Sequence, residues 1–242
     1  MKVWLLLLLF LASSAFAQKY TVLVYHGANP PYSFKENDKV VGIFTDIFAR
    51  LAQLTGHEFE FVATSVARGQ RFFDSGQVDI EPGVSMQWRI QQKVPGIYTI
   101  TYAKSVEILL GNNANTLEDV SQAYGSLVGR VRGYRYGAFE SHFDEDKLIV
   151  YDNISEKELL GQLAYGRLDY VLIGKDTAHY YMANNPAYRH FKDAYIIETA
   201  KVAMRLQPHL TDLKEQLNTA LTTMVNNQEI AAIYKKYTDY QH

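Results

Sequence analysis

Glu81 closes a short run, Val78-Asp79-Ile80-Glu81, and is followed by Pro82-Gly83. A carboxylate at the end of a strand stands where α/β sheets meet their ligands, and a carboxylate withdrawn from water needs a partner. Glu81 is therefore either a partner for a ligand cation or a rim charge facing water. Tyr32 and Phe34 lie upstream and Trp88 lies downstream. Each could stack on or wall a ligand, and each could equally be core, because aromatic side chains dominate both settings. Arg132-Gly133-Tyr134-Arg135-Tyr136-Gly137 is a glycine-bounded turn. If it opens a helix, Tyr134 and Gly137 could present backbone N–H groups to an anion. Arg68, at the head of an expected helix, is either a second anion contact or a solvated helix charge.

Catalytic and cofactor chemistry has no comparable signal. The seven histidines show no ligand spacing such as H-E-x-x-H. There is no G-x-S-x-G elbow and no G-x-x-x-x-G-K phosphate loop. The expectation is no catalytic residue, no metal and no cofactor. With 24 basic and 26 acidic residues the chain has no basic footprint for nucleic acid or for a membrane surface. Cysteine is absent, so packing alone must hold the fold, without disulfides or thiolate metal sites.

The elements that must position these residues begin after a leader. Lys2, the apolar run Val3 to Ala12 and the small-x-small Ala15-Phe16-Ala17 read as a cleavable secretory signal peptide, residues 1–17. Its apolar run is far short of the roughly 20 residues that span a bilayer. Beyond it, strand-like and helix-like segments alternate, which predicts an α/β protein. Strands are expected at Tyr20–Tyr25, Glu58–Val62, Val78–Glu81, Val106–Leu110, Leu127–Val131 and Asp169–Ile173. Helices are expected from Ile43 to Leu54, from Arg68 to Phe73, from Thr116, after Ser155 and over Thr177–Ala183. Ser155 with Glu158, and Asp212 with Glu215, have capping-box spacing. Apolar stripes at Leu213, Leu217, Leu221 and Met224, and at Ile230, Ile233 and Tyr234, predict two final helices. The pattern restarts near Lys104 with no flexible joint, which suggests two closely packed lobes.

Five motifs, in order, give the chain a resemblance. They are Pro30-Pro31-Tyr32-Ser33-Phe34, Gly42-Ile43-Phe44-Thr45-Asp46-Ile47, Ser75-Gly76-Gln77-Val78-Asp79, Gly166-Arg167-Leu168-Asp169 and Ile233-Tyr234-Lys235-Lys236-Tyr237. Behind an export leader, this order resembles extracytoplasmic (periplasmic) solute-binding proteins of family 3, the substrate-binding type of amino-acid ABC transporters. The resemblance implies a two-lobed, type II periplasmic-binding-protein-like fold with a ligand cleft between lobes. Lobe 1 would be residues 18–103 and 200–242, and lobe 2 residues 104–199. It implies capture of a small polar or zwitterionic solute, an amino acid or a relative, by a monomer in the periplasm. The bound form would be delivered to a membrane ABC permease, or to a membrane sensor. A lyase is the alternative, because cyclohexadienyl dehydratases are built on the same fold.

The resemblance also assigns roles. Arg89 matches the arginine that pairs with a ligand α-carboxylate, with Ser85 in the same segment; the other reading of Arg89 is a surface salt bridge. Counted from Asp169, the aspartate that receives the α-ammonium falls on Gly174, and the nearest carboxylate is Asp176. Asp176 is either that anchor or the cap of the following helix.

Overall fold

The computed structural model describes residues 17–25, 29–113 and 115–239. The leader lies outside the described residues except for Ala17, as do Gly27 and Ala28 of the first turn. Chain order is β1 (Lys19–Tyr25), β2 (Phe34–Glu36), β3 (Lys39–Val41), α1 (Ile43–Thr55), β4 (Glu58–Thr64), α2 (Val66–Asp74), β5 (Ile80–Val84), β6 (Ile97–Tyr98) and β7 (Ala103–Asn112). It continues with β8 (Leu127–Val131), α3 (Ser141–Asp144), β9 (Ile149–Asn153), α4 (Glu156–Ala164), β10 (Tyr170–Gly174), α5 (Lys175–Asn184), β11 (Phe191–Leu206), α6 (Thr211–Asn226) and α7 (Glu229–Thr238).

The strands run in the order β4-β1-β5-β11-β7-β10-β8-β9, with β6 on β11 and β2 and β3 forming a separate hairpin. Both flanks are parallel: β4, β1 and β5 on one side, and β10, β8 and β9 on the other. Between them β11 and β7 pair antiparallel, and β11 also pairs with β5. Among the described residues these two strands join the parallel halves of the sheet.

Each half buries its own apolar residues. In the first, Ile43, Ile47 and Leu51 of α1 pack with Val22, Ile80 and Leu217. In the second, Leu159, Leu160 and Leu163 of α4 pack with Ile108, Val171 and Ile173 on one side of the sheet. Val128, Tyr136, Phe139 and Leu172 form another cluster. The helical stripes in the sequence are these core faces.

Two motif aspartates act alike. Asp79 accepts from the backbone N–H (2.8 Å) and hydroxyl (2.7 Å) of Thr21, fastening β5 to β1. Asp169 accepts from Leu127 N–H at 2.7 Å, fastening β10 to β8. Asp46 accepts from Lys236 Nζ (2.7 Å) and the Tyr237 hydroxyl (3.0 Å), so the motif at the head of α1 meets the motif at the end of α7.

Two local expectations need correction. From Thr116 there is no α-helix but a single 3-10 turn, Val120–Ala123. Asp119 caps it by accepting from Ser121 N–H, and Gly125 then turns the chain at positive φ. Asp212 does not cap α6; the cap position is Leu210, with Asp212 inside the first turn. The sixteen-residue β11 had no counterpart in the sequence reading, because charges at Lys192, Asp193, Glu198 and Lys201 and three register shifts erase its alternation.

Candidate functional site

Between the two halves lies a cavity of about 90 Å³, room for roughly half a dozen waters, the scale of a small polar molecule. It is walled from both sides, by Tyr25, Tyr32 and Glu81 of the first half and by Glu107, Tyr134 and Glu156 of the second. The loop after β1 reaches it because Gly42 lets that loop close on α1. The N–H groups of Ile43 and Phe44 donate to the carbonyls of Pro31 and Tyr32, each at 3.0 Å, which satisfies donors a helix start otherwise leaves orphaned. Two hydrogen bonds cross from this loop to α5: Tyr32 Oη to Asp176 Oδ2 (3.0 Å) and Thr177 Oγ1 to Asn29 Oδ1 (3.1 Å). A third joins Trp88 Nε1 to Glu198 Oε1 of β11 at 2.6 Å.

Below the cavity on the first-half side is a buried ion network. Glu81 is 2% exposed and Arg89 4%. Arg89 Nη2 lies 2.6 Å from Glu81 Oε1, and its Nε is 3.1 Å from both carboxylate oxygens. The other face of the carboxylate accepts from Arg205 Nη1 at 3.0 Å, while the Tyr25 hydroxyl and Gln70 Nε2 each donate to Oε1 at 2.7 Å. Burial alone would raise the Glu81 carboxyl, but the two guanidinium groups outweigh it and hold it down to about 2. Arg205 is fully buried, stacks on Phe73 at 3.8 Å and lies 3.9 Å from Asp74. Two arginines thus meet two carboxylates, and the network is neutral.

The second-half side is different. Glu107 receives a hydrogen bond from Ser105 Oγ at 2.7 Å. Burial pushes its carboxyl up to about 7, and neighbouring Glu198 and Asp176 add to the rise. Glu156, 2% exposed at the first turn of α4, is also pushed up to about 7 by burial, offset in part by its own backbone N–H and then by the Tyr134 hydroxyl.

Among the expected site residues, Tyr32, Glu81, Trp88, Arg89 and Tyr134 line the cavity. Asp176 stands behind Tyr32; it is in the first turn of α5, and the cap position is Gly174, which rules out the capping role. Arg89 is buried, so it is no surface salt bridge. Glu81 likewise does not face water at the rim. Phe34 is not among the lining residues; its ring packs on Tyr180 and Tyr237. Ser85 lines a separate hollow with Met86 and Tyr98. Arg68 is exposed and is not among the residues lining the cavity. Gly137 opens only a four-residue 3-10 helix, and the N–H of the preceding Tyr136 is taken by Glu140 Oε1 at 2.9 Å. The Tyr134 N–H donates to the Val131 carbonyl at 3.1 Å and so is not turned to the cavity.

Glu107, Glu156, Gln70 and Arg205 were not foreseen. Glu107 and Arg205 did carry a signal, each being the one charge inside an apolar run, Val106-Glu107-Ile108-Leu109 and Met204-Arg205-Leu206. Glu156 was hidden behind Ser155, because an acid in a first helical turn is an ordinary helix signature.

Two packed halves with a ligand-sized, polar and aromatic cavity between them define a protein that captures a small molecule. The chain belongs to the bacterial extracellular solute-binding proteins, family 3, whose family model matches residues 22–240. A probable histidine-binding protein of Campylobacter jejuni is 25% identical over 161 residues, covering 64% of this chain but only 60% of that relative's length. Among solved structures, the amino-acid ABC transporter substrate-binding protein AbpA of Streptococcus pneumoniae, bound to L-arginine, aligns with a TM-score of 0.76 at 16% identity, over 93% of this chain and 97% of that one. A histidine kinase sensor domain with similarity to periplasmic binding proteins aligns with a TM-score of 0.75 at 18% identity, over 90% and 95%. These likenesses carry the two-lobed type II fold. Among the described residues no helix is long and apolar enough to cross a membrane.

Proposed function

We propose that the protein captures a small polar or zwitterionic solute, an amino acid or a relative, in the periplasm and delivers it to a membrane ABC permease. The observation that carries this is the cavity walled by residues of both halves. On this reading residues 1–17 are removed on export. Lobe 1 is residues 18–103 with 200–242, lobe 2 is residues 104–199, and β7 and β11 flex where they pass between them. Family membership and the ABC transporter protein among the structural relatives support the assignment. A ligand that binds only the folded state raises its melting temperature, by about 2.7 kcal/mol of stability at a hundredfold excess over Kd. A thermal-shift screen of amino acids, amines, short peptides and organic acids is expected to yield such a ligand; no shift with any of them would overturn the reading.

One observation favours a second reading, a lyase on the same scaffold. Glu107 and Glu156 titrate near neutrality in the cavity, as a general acid or base should. Loss of prephenate or arogenate on incubation with the protein would replace binding by catalysis.

A further inference from the structure

Two carboxylates border the cavity, Glu107 and Glu156, and among the described residues neither is in a salt bridge. Glu156 Oε2 is buried and has no hydrogen-bond partner. Leaving such an acceptor unmet is costly, and this one stands at the edge of a space that a ligand could fill. Glu107 has Glu198 of β11 and Gly174 of β10 as its direct cross-strand partners. A Cβ added to Gly174 would lie 3.7 Å from Glu107 Oε1, so the missing side chain leaves room beside the carboxylate. The charges felt by Glu107 are those of Glu198 and Asp176, and the charge felt by Glu156 is that of Glu107: all are acidic.

The basic residues around the cavity do not offset this. Arg89 is held by Glu81, and Arg205 behind it by Glu81 and Asp74. Arg135 points its guanidinium at Glu140, and Lys104 is exposed. For a ligand carboxylate to take Arg89, Glu81 would have to release a bond made inside the protein. Rings complete the wall: Tyr25, Tyr32, Phe44, Trp88, Tyr134 and Tyr234. Their faces favour an organic cation over an anion.

We propose that the cleft is built for an organic cation without a carboxylate, an alkylammonium or guanidinium compound, received by Glu107 and Glu156 with the aromatic rings along its chain. This rests on the solute-capture reading and narrows its ligand class. Arg89 is then part of the cavity floor and not an anchor.

Matched pairs test the idea, each an amino acid and the amine left when its carboxyl group is removed: L-arginine and agmatine, L-lysine and 1,5-diaminopentane, L-ornithine and 1,4-diaminobutane. Titration calorimetry on the leaderless chain is expected to show, in at least one pair, the amine binding at least tenfold more tightly than its parent. For that amine, Glu107→Gln and Glu156→Gln should each weaken binding tenfold or more. An amino acid that matches or beats its amine in every pair would overturn the proposal while leaving solute capture intact. So would tight binding of L-glutamate, or binding of some other solute class with none of the amines. Failure of every compound in the wider screen would sink both. The pairwise ratio on the unmodified protein decides the matter even if a glutamine variant does not fold.

Discussion

Arg89 is among the most constrained side chains of the molecule. Removing one member of a buried ion pair leaves an uncompensated charge, at a cost of about 3 kcal/mol or more. Arg89→Ala should therefore lower the unliganded melting temperature by several degrees, as seen by differential scanning calorimetry. A ligand anchor exposed in an open cleft would leave that melt nearly unchanged. Glu156 and Glu107 make the opposite kind of prediction. Their carboxyls sit near 7 against an ordinary 4.5, so between those values the folded protein holds protons that the unfolded chain has lost. Their contribution to stability therefore declines as pH rises from about 4.5 to 7. The groups that set these values are Ser105, Glu198 and Asp176 around Glu107, and Tyr134 and Glu107 around Glu156. Glu156→Gln should melt higher than the parent at pH 8 and less so at pH 5. Because a bound cation favours the ionised carboxyls, the affinity for 1,4-diaminobutane should rise from pH 6 to pH 8, and a flat profile would count against a carboxylate site. Sequence alone could suggest Glu81 as a site residue but not that Arg89 and Arg205 would hold it. The register shift between Ala203 and Arg205 leaves no mark on residue type.

At the scale of elements, the aspartates of the family motifs are joints. Asp79 and Asp169 fasten strand to strand, Asp46 fastens α1 to α7, and none of the three is among the residues lining the cavity. This is why strands and helices could be read from the sequence more fully than the site, of which Tyr32, Glu81, Trp88, Arg89 and Tyr134 were legible and Glu107 and Glu156 were not. Joints recur at fixed local spacing, whereas the cavity is assembled from residues far apart in the chain, Tyr25 to Tyr234. The most demanding joint is Gly42, at φ 127° and ψ −173°, a backbone region open essentially to glycine alone. A Cβ there would stand 2.6 Å from the carbonyl oxygens of both Pro31 and Tyr32. Gly42→Ala should cost at least about 2 kcal/mol. It should also weaken ligand binding, because the displaced loop carries Tyr32 to the cavity; calorimetry and the ligand titration would read the two effects separately.

For the whole molecule, β7 and β11 are the strands through which the two parallel halves are joined. The loop bonds Tyr32–Asp176 and Asn29–Thr177 cross between the halves away from those strands, at the edge of the cavity. If the halves separate when empty, small-angle X-ray scattering should give a smaller radius of gyration with ligand than without, and an unchanged radius would make the molecule a rigid receptor. The two-lobed plan was legible because the strand–helix pattern restarts near Lys104. The long shared strand was not, because a strand that serves two halves changes its buried face along its length.

The Trp88 bond to Glu198 has a practical corollary. The chain contains two tryptophans, Trp4 and Trp88, and removal of the leader would take the first. The exported protein would then carry one indole, seated at the cavity with its N–H on a carboxylate. Its emission would report occupancy and closure without any added dye, so the protein comes with its own optical gauge.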